Sequence, residues 1–375
     1  MQINLCLSAD GNYARHLGFT LYSALAYSRP DDQYEVYVLD GGISAEVRQE
    51  IQDKLAHFRN LRLHYIDVRS AAQLANCRIS GQSTHITVAT YYRFLIPSIV
   101  PCDKVLYLDC DILVCHDLHD LFETDITGCY MAAAVDPVQM RHWARRGGIS
   151  PYYYINAGIL LINNQLWREE NIQEKLFRYM EQPRYPLDYM DQDVLNDVLK
   201  EKIRYVSPAW NMTEWVFRLC NLLDIQLEQY EYRYTPKIIH YTGSVKPWHL
   251  EADLSSSFVQ RYQDMWRGSP WRAEFRRMRR KRRLYRLKRW LFSIRTTPRY
   301  YNDIPATLRE VVFCGLPLYR LETSLGVENT FILGCIRVRH RANTWEYIQS
   351  LRERKEMFDA MTEHKRLREK LGKGC

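Results

Sequence analysis

The sequence predicts an α/β protein: a mostly parallel central sheet flanked by helices, followed by a basic helical C-terminal extension. Three observations predict it. Short apolar runs alternate with helix-period segments through the first two-thirds of the 375 residues, the signature of parallel strands joined by crossovers. Several runs end in small polar clusters, where open sheets of this kind gather ligands. The basic charge is confined to one later block.

In order, Ile3–Leu7 reads as a buried strand ending in Ser8-Ala9-Asp10-Gly11-Asn12. Leu17, Leu21 and Leu25 recur at a helical step. Tyr34–Leu39 and Leu61–Ile66 are strands, with a helix from Ser44 to Phe58 between them. Val88–Ile99 reads as a buried helix whose end Pro97 weakens. Val105–Leu108, Met131–Val135 and Ala157–Ile162 are core strands, with the apolar triplet Ile112-Leu113-Val114 after the first of them. Leu166–Met180 and Asp191–Leu199 have helical spacing, and Lys237–Tyr241 is a last short strand. Ser269-Pro270 starts a helix with a Ser cap and Pro at its first position. On it Leu284, Leu287, Leu291 and Ile294, with Trp290, share one face, and Pro298 ends it. Residues 299–340 show no single period, and Trp345–Leu371 is a charge-rich helical pattern.

Apolar residues are 46% and charged residues 26%, which excludes a disordered chain, a collagen and a small disulfide scaffold. No apolar run reaches the roughly eighteen residues of a membrane span. Met1–Leu5 has no basic n-region or long apolar stretch, so no signal peptide is expected. Ten cysteines with no C-x-x-C pair are expected to be reduced cytoplasmic thiols. The net charge is +8, yet residues 272–295 carry twelve Lys/Arg against one acid, Glu274. Residues 1–271 are net acidic, at −7. A nucleic-acid enzyme would be basic around its active site as well, so nucleic acid is not the expected partner.

Four segments carry chemistry. Asp109-Cys110-Asp111 follows a buried strand, and two carboxylates so spaced can reach one hard divalent cation. Alone, the triplet serves equally as a strand-end turn with one aspartate capping a helix. His240-Tyr241-Thr242-Gly243-Ser244-Val245-Lys246 follows another strand. Its His suits a metal, Gly243 admits close backbone approach to a diphosphate, and Lys246 supplies a compact positive charge. The bland alternative is a surface loop on which Trp248 packs. Asn156-Ala157-Gly158 offers an amide beside open backbone. Asp191-Gln192-Asp193 sets carboxylate, amide and carboxylate at a helix start, suited to sugar hydroxyls or simply to the helix dipole.

As a set, in this order, these motifs resemble glycosyltransferase family 8, the nucleotide-sugar-dependent retaining transferases, over about residues 2–250. The resemblance implies a GT-A type, Rossmann-like fold and a UDP-hexose donor. Ala9, Asp10, Asn12 and Tyr13 would hold uracil and ribose, and Arg93 the sugar or a neighbouring acid. Asp109, Asp111 and His240 would bind Mn²⁺ or Mg²⁺, with Cys110 in the same binding segment. Asn156 and Ala157 would line the sugar; Asp191 and Gln192 would sit at the anomeric centre, as the catalytic pair with Lys246. Gly243 and Lys246 would hold the diphosphate, and Asp136 would face the acceptor.

The expected division is therefore a transferase domain at 1–265, a basic amphipathic membrane-association helix at 266–298 and a partly helical extension of unassigned role at 299–375. The expected partners are the UDP-sugar, a lipid-linked glycan of lipopolysaccharide type, and an anionic membrane surface met through residues 272–295, for which a solvated charged face is the alternative. The expected place is the cytoplasm, peripherally on the inner face of the cell membrane. A glycogenin-like self-glucosylating enzyme and a non-catalytic sugar-nucleotide or carbohydrate-binding protein are the alternatives.

Overall fold

A computed structural model describes residues 1–74, 77, 87–137, 139, 153–217, 235–301, 304–324, 327–333 and 336–342. The strands are β1 (Gln2–Ala9), β2 (Gln33–Asp40), β3 (Leu61–Asp67), β4 (Lys104–Leu108), β5 (Ile112–Val114), β6 (Met131–Val135), β7 (Ile155–Asn163), β8 (Ile203–Val206), β9 (Met212–Thr213) and β10 (Ile238–His240). Five more follow: β11 (Phe292–Tyr301), β12 (Ile304–Phe313), β13 (Leu316–Ser324), β14 (Val327–Ile332) and β15 (Ile336–Ala342).

Seven strands form the central sheet in the order β3-β2-β1-β4-β7-β6-β8. All its pairings are parallel except those of β7, which runs against both β4 and β6. The chain leaves β1 toward β2 on one side and returns to β4 on the other, so the ends of β1 and β4 flank the crevice where the order reverses. The runs Leu5–Leu7 and Val105–Leu108 within these strands are buried and apolar because both faces of the sheet are covered there. Alternation then divides the core: Leu5 and Leu7 pack on one face, Cys6 and Tyr107 on the other. A second sheet, β5-β10-β9, pairs His240 with Ile112 and with Thr213. That register carries His240 to the end of the D-x-D triplet, and Tyr241 N donates to Asp111 O at 2.9 Å.

Three sequence expectations change here. Val88–Leu95 is a 3-10 helix, and Pro97 opens the following α-turn Ile96–Ile99 rather than weakening an end. The span 166–180 is two helices, Asn164–Glu169 and Ile172–Glu181, broken where Asn171 takes a left-handed conformation (φ 52). The basic helix covers Arg272–Leu291 and does not reach Pro298. Ile294 and Pro298 lie in β11, the edge of an antiparallel meander β11-β12-β13-β14-β15, so the described part of the extension is sheet, not helix. Proline is tolerated there because an edge strand has one side without ladder bonds. The helical pattern at 345–371 lies outside the described residues.

The basic helix is also not wholly an outer element. The break Ser269-Pro270-Trp271 separates it from helix Ser257–Gly268, and Trp271 packs against Gly18, where a Cβ would come within 2.8 Å of the indole. Phe275, Met278 and Arg282, at spacings of three and four, face inward. Only beyond Arg282 does the helix expose Leu284, Leu287, Trp290 and Leu291.

Candidate active site

A cleft of about 510 Å³ opens at the carboxyl ends of β1 and β4. It brings together Ala9, Asp10, Tyr13, Arg93, Asp109, Cys110, Asp111, Asp136, Asn156, Ala157, Asp191, Gln192, His240, Gly243 and Lys246. Of the residues expected at the site, Asn12 alone falls outside; it lines a neighbouring cavity with Arg15, His16 and Trp248.

Asp109, Asp111 and His240 each place a ligand atom within 4.8 Å of the others. His240 Nε2 lies 3.2 Å from Asp111 Oδ1 and 3.7 Å from Asp109 Oδ2. The far side of the imidazole is fixed: Nδ1 is 2.9 Å from Asn211 Oδ1. Asn211 Nδ2 donates to Asn156 Oδ1 (2.9 Å), which also accepts from Gly158 N (3.0 Å). With that amide order Asn211 Oδ1 is the acceptor, so the ring proton sits on Nδ1 and the Nε2 lone pair faces the two acids. Two carboxylates and one imidazole with a free lone pair fit Mn²⁺ or Mg²⁺.

Gly158, on β7, lies across from Asp109, whose N donates to Gly158 O at 2.8 Å. A Cβ there would stand 2.8 Å from His240 Nδ1 and 2.9 Å from Asp109 Oδ2. Only hydrogen fits where the three strand ends meet. By contrast, a Cβ at Gly243 would meet nothing within 4 Å, so that glycine is not demanded by crowding.

Arg93 is buried between two acids. Its Nη2 donates to Asp109 Oδ1 (2.8 Å), its Nε lies 3.1 Å from Asp191 Oδ2, and its guanidinium stacks over Tyr107. Burial opposes its charge, but Asp109 and Asp191 raise its pKa further. Lys246 Nζ donates to Asp111 Oδ2 (2.7 Å) and to Tyr241 O (2.6 Å). The two site acids are thus pushed apart. Burial, aided by Asp111, lifts Asp109 even though Arg93 opposes it. Burial would lift Asp111 too, but Lys246 and His240 hold it well below the usual carboxylate range.

Burial lifts Asp191 to about 6, against the pull of Arg93 and Thr90. Both its oxygens are engaged, one by Arg93 and one by Thr90 Oγ1. Gln192 Oε1 accepts from Ala157 N (3.0 Å), and its Nε2 is 3.5 Å from Asp136 Oδ2, to which Asn156 Nδ2 also donates at 3.3 Å. Asp10 Oδ1 caps its own turn, accepting from Asn12 N and Tyr13 N. Cys110 points away, its Sγ 3.0 Å from Ser8 O. Asn211 and Thr90 escaped the sequence reading, because nothing in their local pattern marks them; they act through residues distant in the chain. Gly158 was read there only as open backbone, not as the neighbour that confines His240.

Comparison with known proteins shows what the chain is similar to. Residues 4–252 match the family description "Glycosyl transferase family 8". The chain is 30% identical over 249 residues to general stress protein A of Bacillus subtilis, covering 64% of this chain and 85% of that protein. It is 27% identical to a lipopolysaccharide 1,3-galactosyltransferase of Salmonella typhimurium, covering 72% and 79%. The crystal structure of the galactosyltransferase LgtC with donor and acceptor sugar analogs superposes with a TM-score of 0.61 at 29% identity, covering 71% of this chain and 99% of that one.

Proposed function

The chain belongs to glycosyl transferase family 8, and on that premise we propose that it is a retaining transferase. It moves a hexose, galactose or glucose, from a UDP-sugar to a hydroxyl of a lipopolysaccharide-type or other surface glycan. The observation that carries this reading is the meeting of Asp109, Asp111 and His240 within 4.8 Å, with Lys246 on the same carboxylate. The likeness to a lipopolysaccharide galactosyltransferase supports the choice of acceptor class.

A divalent cation held by those three residues would offset the charge that develops on the departing diphosphate. Lys246 adds a second positive charge on the same side, already desolvated and so effective at short range. Asn211 keeps His240 in the one tautomer that can serve as a ligand. Arg93 spans Asp109 and Asp191 and keeps both oriented. Asp191 and Gln192 flank the developing positive charge of the sugar. Gln192 is a weak nucleophile because an amide oxygen is weakly basic, and Asp191 has both oxygens engaged. Both facts favour front-face attack by the acceptor hydroxyl, assisted by the departing phosphate, over a covalent intermediate on Asp191. Isolation of a glycosylated Asp191 or Gln192 by mass spectrometry would overturn that preference.

Among the described residues no helix is long and apolar enough to cross a membrane. We place the enzyme peripherally on the inner face of the cell membrane, with the exposed half of the basic helix toward anionic lipid. The deciding experiment is a screen of UDP-sugars with Mn²⁺, reading UDP release. Turnover with one UDP-hexose, abolished by Asp109→Ala or Asp111→Ala and not restored by added Mn²⁺, is expected. Release that is indifferent to both substitutions would refute the assignment.

A further inference from the structure

The meander β11–β15 has a use that the helix alone does not explain. Among the described residues, twelve of the sixteen exposed large apolar side chains lie between Leu284 and Ile336, so the exposure is concentrated rather than scattered. Strand register gathers most of them at one end. Phe313 and Leu316 pair across the Cys314-Gly315 turn. Ile332 and Ile336 pair across the next turn at that end, and Leu333 N donates to Leu318 O at 3.0 Å. Phe313, Leu316, Leu333 and Ile336 are each more than half exposed.

The tips are fixed to the basic helix. Cys314 N donates to Leu291 O (2.9 Å) and Gly315 N to Trp290 O (2.7 Å). Gly315 takes φ 80, and a Cβ there would come within 2.7 Å of Trp290 Cδ1. The first hairpin tip and the helix end therefore move as one piece. In the last turns before Leu291 the helix exposes Arg283, Arg286 and Lys288.

We propose that the two hairpin tips, with Trp290 and Leu291, form an apolar edge that inserts into the boundary of an anionic phospholipid bilayer, while the adjoining arginines meet its headgroups. The occupant follows from charge complementarity: an apolar edge bordered on the helix by exposed cations suits a surface that is apolar beneath and anionic above. This rests on the membrane reading of the helix given above and adds a second, salt-insensitive contact to it.

The test uses the full chain with phosphatidylcholine vesicles, with and without phosphatidylglycerol, in a sedimentation assay at low salt and at about 0.5 M NaCl, where surface charge is largely screened. The parent protein should bind anionic vesicles at low salt and keep part of that binding at high salt. L316E/L333E should lower the high-salt partition by roughly tenfold or more, with UDP-sugar hydrolysis unchanged. R283E/K288E should instead lose the low-salt gain. If the charge variant loses binding while the tip variant partitions like the parent at both salts, the helix reading stands and the tips fall. If the parent ignores vesicles altogether, both fall while the transferase reading is untouched. A dimer in buffer that L316E/L333E converts to monomer, without vesicle binding, would assign the edge to a second copy. Hydrogen exchange on the unmodified protein supplies a check free of folding effects: residues 313–318 and 332–336 should gain protection with vesicles, and no gain overturns the proposal.

Discussion

Gly158 and His240 stand so close that no side chain fits between them: a Cβ at Gly158 would lie 2.8 Å from His240 Nδ1. The imidazole is confined by the missing atom at Gly158 and held at Nδ1 by Asn211. Gly158→Ala should therefore displace the imidazole and weaken Mn²⁺ affinity by about tenfold or more. Calorimetric titration with Mn²⁺ reads this directly, and affinity equal to the parent would show that the pocket yields.

Asn211 is the opposite case, a partner removed rather than an obstacle added. Asn211→Ala leaves Nδ1 without its acceptor, and cation affinity should fall roughly 10–100-fold. Asn211→Asp keeps an acceptor toward the ring and should recover much of the loss. Equal damage from both variants would mean that packing, not the tautomer, matters.

The pH dependence follows from Asp191, lifted by burial to about 6. Turnover should decline as pH falls through about 6, because the proton removes the negative charge that pairs with Arg93 and that is proposed to face the sugar. Asp191→Asn should be slow and lack that limb. Stability runs the other way. The folded state holds this proton more tightly than the unfolded chain, whose carboxyl titrates near 3.9. Its contribution is thus lost as pH rises from about 4 to about 6. Chemical denaturation across that window should show the parent losing more stability than Asp191→Asn as pH rises.

Arg282 is buried, and its Nη2 donates to Pro247 O (3.0 Å) and His249 O (2.6 Å). Its Nε and Nη1 have no hydrogen-bond partner among the described residues. Arg282→Met removes a poorly satisfied buried cation, so the melting temperature should hold or rise. It also frees the loop carrying Lys246, and kcat should drop by roughly fivefold, the worth of about one hydrogen bond. A lowered melting temperature with unchanged kcat would reverse this account.

The central sheet was legible because a parallel strand buried on both faces, such as Val105–Leu108, reads as an unbroken apolar run. The candidate metal group was legible because Asp109, Asp111 and His240 each come at or just after the end of a short apolar run. Asn211 was not, since it gains its role only through β9–β10 pairing. Arg282 was hidden among identical charges, although the spacing Phe275, Met278, Arg282 would have marked its inward face. The meander was missed because its strands alternate polar and apolar over short spans, as in Ile336-Arg337-Val338-Arg339, next to a strong helical signal. Its turn was in plain view at Cys314-Gly315, where both residues take positive φ.

A buried guanidinium thus ties the basic helix to the segment bearing Lys246. Whatever reseats that helix tugs on Lys246 through a handful of bonds, so the membrane docking proposed above would give the proposed sugar transfer a different tempo from that of the protein adrift in solution.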